Sequence, residues 1–280
     1  MEKSILITGC SSGIGLCVAR GLRARGFRVF ATARTPRDVA DLQVQGFESC
    51  ILDLRDSVSI GEAVEDVLQR TGGHLYALFN NGAYGQPGAV EDLTREALHL
   101  QFETNLFGWH ELTCRVIPVM RKQGYGRIIQ NSSILGYMTL PYRGAYVASK
   151  YALEGLTDTL RLELAGSGIH VSLIEPGPIE SRFRANALAM WRKHIDADHS
   201  FHRDHYQAML SRLEKPGPAA PFTLPPEAVL KKVIHALESS RPRIRYPVTF
   251  PAHLFALLRR LLSSRGMDRA LLRISGKGRR

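Results

Sequence analysis

A strand-like apolar run that ends in a glycine-rich loop constrains the fold of this chain more than any other feature. Residues 4–8 read Ser-Ile-Leu-Ile-Thr, and glycines follow at positions 9, 13 and 15 before a helical pattern over about 13–25. Glycine permits a positive φ and lets backbone approach a pyrophosphate, and the N-terminus of the following helix would point at that negative charge. The loop therefore predicts a dinucleotide phosphate cradle.

Strand and helix patterns continue to alternate along the chain. Such alternation predicts an α/β architecture, a Rossmann-type doubly wound parallel sheet with helices on both faces. A helix at 226–238 and an edge strand at 245–248 would complete a single domain over residues 1–250. The other strand-like stretches are 28–33, 50–52, 75–79, 127–130 and 169–174, and the other helical stretches are about 57–69, 95–122 and the region around Tyr146.

The alternation stops between about residues 182 and 224, directly after a predicted strand. This segment contains the large apolar residues Phe183, Met190 and Trp191 and a stretch rich in proline and glycine at 216–218. Insertions at the carboxyl end of a strand are where such folds place substrate lids, so we expect a lid here.

A run of histidines and aspartates in the same segment raises the alternative of a metal site. The residue types suit a metal, but their spacing matches no fixed ligand pattern. A polar face of the lid is the favoured interpretation, and we expect no metal. The run consists of His194, Asp196, Asp198, His199, His202, Asp204 and His205.

Ser133, Tyr146 and Lys150 form a second constellation that carries chemistry. Tyr146 and Lys150 are four residues apart, which places both side chains on one face of a helix, one turn apart. A phenol titrates near pH ~10 when unperturbed, so proton exchange around neutrality needs a nearby cation such as Lys150. The pair alone is common on ordinary helices, but together with the glycine loop it indicates a proton-transfer site.

These elements, in this order, make the chain similar to a short-chain dehydrogenase/reductase over residues 3–182. The matching positions are Thr8, the glycine loop, Asp53, Asn80-Asn81-Gly82-Ala83, Asn105, Ser133, Tyr146-x3-Lys150 and Pro176-Gly177. Residues 10–15 and 31–34 resemble most the branch that contains 17β-hydroxysteroid and retinol dehydrogenases.

The resemblance implies roles for four catalytic residues. Tyr146 would donate a proton to the substrate oxygen as general acid, and would act as base in the oxidation direction. Lys150 would lower the pKa of that tyrosine and hold the nicotinamide ribose, and the Ser133 hydroxyl would orient the carbonyl. Asn105 would bend its helix and hold a water molecule in the proton relay.

The residues after the second predicted strand favour NADP(H) over NAD(H). An acid there would bind the ribose 2′-hydroxyl, but the sequence has Arg34, whose guanidinium suits a 2′-phosphate, with Ser12 as a further donor. The alternative is that Arg34 is simply a solvated strand end. The remaining cofactor-binding residues implied by the resemblance are Gly9, Ser11, Gly13, Ile14 and Gly15 at the phosphates, Asp53 and Leu54 at the adenine, Asn81 beside the adenosine half, and Tyr146, Lys150, Pro176, Gly177 and Ile179 around the nicotinamide.

One motif departs from the family pattern. The family usually has Asn-Asn-Ala-Gly after the fourth strand, whereas this chain has Gly82 before Ala83. Both residues are small, so we expect the exchange to be tolerated.

The positive charge of the chain is concentrated in its last forty residues. The whole chain carries a formal net charge of +11, and residues 241–280 hold eleven basic side chains against the single acid Asp268. Apolar residues at 254–262 and 267–274 alternate with arginines, which predicts a basic amphipathic extension over 251–280. It either packs on the protein or contacts an anionic membrane surface. Nucleic-acid binding is not favoured because no such motif is present.

The sequence as a whole predicts an NADP(H)-dependent reductase acting on an apolar aldehyde, ketone, retinoid or steroid-like carbonyl, or on the corresponding alcohol. A catalytically idle NADP-binding sensor and a membrane-docking protein are the alternatives. The resemblance implies a homodimer or homotetramer. The four cysteines lack C-x-x-C spacing and favour reduced, buried thiols in a cytoplasmic protein. The alternative is a cytoplasmic protein that is peripheral to the inner membrane surface.

Overall fold

A parallel sheet forms the centre of the protein. The computed structural model describes residues 3–215, 217 and 220–276, and in this part of the chain the sheet has seven strands in the order β3-β2-β1-β4-β5-β6-β7. The order reverses between β1 and β4, which opens a crevice at the carboxyl ends of the strands. The strands are β1 (Ser4–Ile7), β2 (Arg28–Ala33), β3 (Glu48–Ile51), β4 (Ala77–Asn80), β5 (Gly126–Asn131), β6 (Ile169–Glu175) and β7 (Arg245–Pro247).

Helices cover both faces of the sheet, as predicted. One face packs Val18, Leu22 and Val233 in one core cluster, and the other packs Trp109 and Val116 in a second. The helices of the described residues are α1 (Gly13–Arg23), α2 (Pro36–Val44), α3 (Ser57–Arg70), α4 (Arg95–Phe102), α5 (Gly108–Gln123), α6 (Gly144–Glu163), α7 (Phe183–His194), α8 (Arg203–Glu214), α9 (Glu227–Glu238), α10 (Phe250–Leu261) and α11 (Ser264–Ile274).

Three local predictions differ from the structure. The single helix expected over 95–122 is interrupted by a π-helical turn at Glu103–Phe107, which separates α4 from α5. Helix α2 was not predicted, although Thr35 caps it, and β3 lies at Glu48–Ile51 rather than 50–52.

The segment predicted as a lid contains two helices, α7 and α8. They pack on each other through Trp191 and Tyr206, whose ring centroids are 5.8 Å apart. Pro216 and Pro218 lie outside the described residues. The histidines and aspartates of this segment form pairs such as His199–Asp196, and the described residues contain no group of three or more His, Cys, Asp or Glu that could hold a metal ion.

The C-terminal extension forms α10 and α11, and its last basic residues Lys277, Arg279 and Arg280 lie outside the described residues. Phe255 of α10 and Leu271 of α11 pack against Tyr137 and Met138, so one face of the extension lies on the protein. None of the helices that the structure describes combines the length and apolar character needed to cross a membrane.

The prediction that all four cysteines are buried thiols is only partly confirmed. All four are free thiols, but Cys114 is exposed on α5, and only Cys10 is fully buried. Residue 114 falls on the solvent-facing side of α5, whose buried side carries Leu112 and Val116.

Candidate active site

The glycine loop connects β1 to α1 and cannot accommodate side chains. Gly9 has φ +70°, and a Cβ atom there would lie 2.6 Å from the Cα atom of Gly82. A Cβ atom at Gly15 would lie 2.2 Å from the carbonyl oxygen of Gly9. Ser12 occupies the N-cap position of α1 without a side-chain capping bond, so its hydroxyl does not satisfy the first N–H groups of the helix. The loop has the shape and the donors that a pyrophosphate needs.

Asn81 ties the strand ends below this loop. Its side-chain amide donates to the Thr8 carbonyl oxygen at 2.9 Å and accepts from Asn131 Nδ2 at 2.9 Å. The Thr8 hydroxyl in turn accepts from the backbone N–H groups of Asn81 and Gly82, each at 2.8 Å. These bonds join β1, β4 and β5 at the point where the strand order reverses, which fixes the floor of the crevice.

The exchanged pair Gly82-Ala83 fits the local packing. A Cβ atom at Gly82 would lie 3.3 Å from the Gly9 nitrogen and 3.3 Å from a methyl group of Leu54, which is tight. Ala83 instead packs its methyl group against the apolar cluster under α5. Glycine therefore stands at the position that faces the glycine loop.

Arg34 and Asp53 lie near each other at the carboxyl ends of β2 and β3. Arg34 is exposed. The Asp53 carboxylate is held by Arg55, with an Nη2–Oδ2 distance of 2.7 Å. Partial burial raises the pKa of Asp53, but hydrogen bonds from Arg55 and the charges of Arg55 and Arg34 outweigh burial and lower it. Sequence reasoning missed Arg55, which adds a second guanidinium at this edge.

Tyr146 and Lys150 project from one face of α6 into the protein. Burial raises the pKa of Tyr146 to about 12, with a hydrogen bond from Ser133 opposing. The net direction is opposite to the expected lowering by Lys150, because burial dominates. Lys150 Nζ lies 5.7 Å from the centroid of the tyrosine ring.

Lys150 is enclosed by polar and aromatic groups. Its ammonium group donates to the Asn131 carbonyl oxygen at 2.9 Å and lies 4.2 Å from a ring centroid of Trp109. Burial lowers the pKa of Lys150 to about 7, and the negative charge of Glu154, four residues further along α6, opposes this shift. The lysine can therefore change charge near neutrality.

Asn105 sits inside the π-helical turn. Its amide accepts from the Tyr84 backbone N–H at 3.2 Å and donates to the Tyr84 carbonyl oxygen at 2.9 Å and to Ser149 Oγ at 3.3 Å. The π-helical turn lies where the resemblance implies a bend, and the amide links that turn both to α6 and to the segment after β4.

The segment after β6 closes the crevice on the side of Ser133. The Pro176 carbonyl oxygen accepts from the Ile134 N–H at 2.8 Å, and a Cβ atom at Gly177 would lie 2.1 Å from Thr249 Oγ1. Ile179 forms an isolated parallel bridge with Leu224. The backbone of Pro176 and Gly177 is thus fixed against residues 132–143, the catalytic loop, which lies between β5 and α6 and carries Ser133.

An ion cluster behind the site was not predicted. Arg245 of β7 contacts Glu154 at 3.1 Å, Asp158 at 2.6 Å and Glu175 at 3.1 Å. It ties α6 to the end of β6, the strand that leads into Pro176. The spacing of Glu154, one turn after Lys150, is the only sequence signal that could have pointed to it.

Phe183 of α7 covers the phenol. Its ring centroid lies 5.3 Å from that of Tyr146, in an edge-to-face arrangement. The catalytic candidates Ser133, Tyr146, Lys150 and Asn105 therefore surround one point at the carboxyl edge of the sheet, under an apolar cover. Such an arrangement can move a proton to or from an oxygen atom of a bound molecule.

Comparison with known proteins gives a consistent result. The family described as short chain dehydrogenase matches residues 3–191. An uncharacterized oxidoreductase of Escherichia coli K12, YbbO, is 45% identical over 97% of this chain and 94% of its own length. Human 17-beta-hydroxysteroid dehydrogenase type 1 is 35% identical over 88% of this chain and 77% of its own.

Two further comparisons concern cofactor and fold. The NADPH-dependent 3-dehydrocapnine reductase of Ornithobacterium rhinotracheale is 30% identical over 94% of both chains. The crystal structure of a short-chain dehydrogenase from Streptomyces avermitilis superposes with a TM-score of 0.77 at 28% identity, covering 99% of this chain and 96% of that one.

Proposed function

Since the chain belongs to the short-chain dehydrogenase family, we propose that it is an NADP(H)-dependent oxidoreductase that interconverts the carbonyl and alcohol groups of an apolar substrate. The observation that carries the proposal is the convergence of Ser133, Tyr146, Lys150 and Asn105 beside a glycine cradle that any Cβ atom would fill. A catalytically idle NADP-binding sensor would not need all four of these residues.

The chain's residues divide the chemistry as follows. The bound nicotinamide supplies or accepts the hydride. Tyr146 transfers the proton at the substrate oxygen, and Ser133, whose hydroxyl faces that phenol, orients the oxygen. A charged Lys150 would favour the phenolate form of Tyr146 and thereby offset the effect of burial. Phe183 excludes water from the phenol.

The preference for NADP(H) rests on charge at the adenosine end. The chain carries no carboxylate directly after β2, where an acid would bind the ribose 2′-hydroxyl, and Arg34 stands there with Arg55 nearby. A phosphate group between two guanidinium groups gains bidentate, charge-assisted hydrogen bonds. The relative named as NADPH-dependent supports the same choice.

The substrate class is an apolar aldehyde, ketone, retinoid or steroid-like molecule. The segment 182–224, with α7 and α8, is proposed as the lid, because Phe183 and the Trp191–Tyr206 pair give it an apolar body beside Tyr146. A relative that acts on a hydroxysteroid supports a lipophilic substrate.

The test is the oxidation of NADPH and of NADH by the purified protein across a panel of apolar carbonyls. We expect NADPH to be preferred and Tyr146→Phe to lower kcat by about 10²–10⁴-fold with unchanged NADPH affinity. Arg34→Asp should reverse the cofactor preference. Tight NADPH binding without turnover of any carbonyl would contradict the proposal and favour the sensor.

The extension 251–280 is proposed as a contact for an anionic membrane surface in the cytoplasm. On α10 the exposed apolar residues follow one stripe, Phe250, Leu254, Leu257 and Leu261, on the side away from the packed Phe255. The same two helices carry arginines at 259, 260, 265, 269 and 273, and the sequence of the extension has Asp268 as its only acid. Apolar area beside positive charge binds anionic lipid reversibly.

Vesicle flotation tests this contact. The protein should float with phosphatidylglycerol vesicles and not with phosphatidylcholine vesicles, and Leu257→Ser with Leu261→Ser should abolish flotation. Val44→Ser removes an even more exposed apolar side chain from α2 and should have no effect. If the unchanged protein stays in the bottom fraction with both kinds of vesicle, as the leucine variants do, the proposal is contradicted. Deletion of 251–280 that spares turnover would show that docking is not the main activity.

A homodimer or homotetramer is proposed through α5 and α6, where Leu156 and Leu162 are exposed on α6. Sedimentation equilibrium of the protein and of Leu162→Glu tests it. A monomer at micromolar concentration would contradict the proposal.

A further inference from the structure

Two arginines meet beside the catalytic helix without an acidic partner. Arg143 immediately precedes α6, and Arg212 lies in the last turn of α8. Both line a concave surface between the catalytic loop, the lid and the end of the C-terminal extension. Its other lining residues are Leu140, Pro141, Tyr142, Met209 and Ser275.

Neither guanidinium group forms an ion pair within the part of the chain that the structure describes. The polar contact of Arg143 is the sulfur atom of Met209, at 3.9 Å from Nη1. Burial, and then the charge of Arg212, lowers the pKa of Arg143 to about 10. Burial, and then the charge of Arg184, lowers the pKa of Arg212. Positive charge therefore accumulates here, at a cost that an anion would relieve.

The pair lies close to the reacting phenol. Arg143 precedes Tyr146 by three residues, which corresponds to a rise of about 4.5 Å along a helix axis. The segment after β4 runs past both, since Gly85 faces the Tyr146 ring and the Gly88 N–H donates to the Tyr142 carbonyl oxygen at 3.1 Å. The concave surface thus lies at the start of the helix that carries Tyr146, and residues of α8 form its other side.

The backbone at this place is held in an unusual conformation. Tyr142 has φ +61°, which costs free energy for a residue other than glycine. Its ring packs on His202 and Tyr206 of the lid, with centroid distances of 5.4 and 5.9 Å. This strained turn directs the chain so that Arg143 meets α8.

We propose that Arg143 and Arg212 bind an anionic group of the substrate, a carboxylate, sulfonate or phosphate, that is distinct from its reacting carbonyl or alcohol. The inference rests on the proposed reductase function and refines its substrate to an amphipathic molecule. Two guanidinium groups bind such an anion through charge-assisted, bidentate hydrogen bonds, for which a neutral substrate has no equivalent.

The test compares pairs of carbonyl substrates that differ only in a terminal group. Aldehydes of several chain lengths are used, each as the free ω-carboxylate and as its methyl ester, with saturating NADPH. The protein should prefer one carboxylate over its ester by about 10- to 100-fold in kcat/KM, as hydrogen bonds to charged groups allow. Arg143→Gln and Arg212→Gln should abolish that preference and leave the ester rates unchanged.

Two further variants serve as controls. Arg203→Gln removes an exposed arginine from the same helix and should keep the preference. Arg212→Lys keeps the positive charge and should retain part of the preference for the carboxylate that Arg212→Gln loses. This result would show that the loss in Arg212→Gln comes from the missing charge and not from misfolding. An identical ratio of carboxylate to ester in every variant would overturn the proposal.

Inorganic phosphate distinguishes a substrate group from a free anion. Added to the NADPH-saturated protein, phosphate should compete with the carboxylate substrate and not inhibit ester reduction. Phosphate that binds through Arg143 and Arg212 but inhibits both substrates equally, without competition, would overturn the assignment to the substrate.

Calorimetry with octane-1-sulfonate separates this proposal from the proposed function. Binding that disappears in Arg143→Gln while no carbonyl is reduced would support the anion site and contradict the reductase. Reduction of neutral carbonyls without any binding of the sulfonate would leave the reductase standing and overturn the anion site.

Discussion

The catalytic helix α6 has opposite charge surroundings at its two ends. At its start, Arg143 and Arg212 lie together without an acid among the described residues. In its second half, the guanidinium group of Arg245 contacts three carboxylates, those of Glu154, Asp158 and Glu175. Arg161 adds a second cation beside Asp158, at 3.7 Å, so that carboxylates still outnumber guanidinium groups. The two ends differ in how their excess charge can be neutralised.

Excess carboxylate can be neutralised from within the protein, because a buried carboxyl group can keep its proton. Burial and the charge of Glu154 raise the pKa of Glu175 to about 8, and burial raises that of Glu154. Arginine does not lose its proton near neutrality, so excess guanidinium needs an anion from elsewhere. The acidic end therefore suits a structural role, and the basic end suits a ligand.

Removal of Arg245 should have the largest effect. Arg245→Met removes the cation shared by Glu154, Asp158 and Glu175 and should lower the free energy of unfolding by about 2–3 kcal/mol, less than for a fully buried ion pair because the Arg245 side chain is 39% exposed. Chemical denaturation measures it. Arg192→Met, which breaks the exposed pair with Glu214, should cost less than about 1 kcal/mol. If Arg245→Met loses no more free energy of unfolding than Arg192→Met does, Arg245 does not stabilise the acidic cluster.

The proton on the acidic cluster should appear in the pH dependence of stability. The pKa of Glu175 is about 8 in the folded protein, above its ordinary value of 4.5. Its stabilising contribution is therefore complete below pH 4.5 and is lost as the pH rises through about 8, with a slope of at most about 1.4 kcal/mol per pH unit.

Denaturation of the cofactor-free protein between pH 5 and 7 measures that slope, as the difference between the protein and Glu175→Gln. This window avoids Lys150, whose lowered pKa makes stability rise with pH above about 7. Parallel curves for the two proteins would mean that Glu175 is ionised throughout.

Glu154 should tune the catalytic lysine. Its charge raises the pKa of Lys150, so Glu154→Gln should lower that pKa further. If the reaction needs charged Lys150, the alkaline limb of kcat/KM should move to lower pH by about 0.5–1 unit. Asp158→Asn, which alters the same cluster one helical turn further from Lys150, is the control. If the alkaline limb of kcat/KM does not move, Glu154 has no electrostatic effect on Lys150 during the reaction.

The smallest effect is expected at the basic end. Arg143→Gln removes an unpaired, partly buried charge, so the free energy of unfolding should change by less than about 1 kcal/mol, or rise. A loss comparable with that of Arg245→Met would mean that Arg143 already has a partner inside the protein. The two ends of α6 would then not differ as described.

Much of the site could be predicted from the sequence because its signals are local. The glycine loop, the Tyr146-x3-Lys150 spacing and the strand–helix alternation are all read within a few residues, and the predicted fold, family and branch are confirmed. The π-helical turn at Asn105 was not predicted, because the amide that stabilises it binds Tyr84, 21 residues earlier.

The sequence by itself determined the fold class, the family and the identity of the candidate catalytic residues, since periodicity and short spacings decide these. Tertiary structure alone decided the charge balance around them. Arg245 meets Glu154 across 91 residues, and Arg143 meets Met209 across 66. Coulomb energy depends on distance in space and on burial, neither of which the order of residues states. The sequence allowed these arginines to be paired with carboxylates or not, and only the packing of the chain decided which of them are paired.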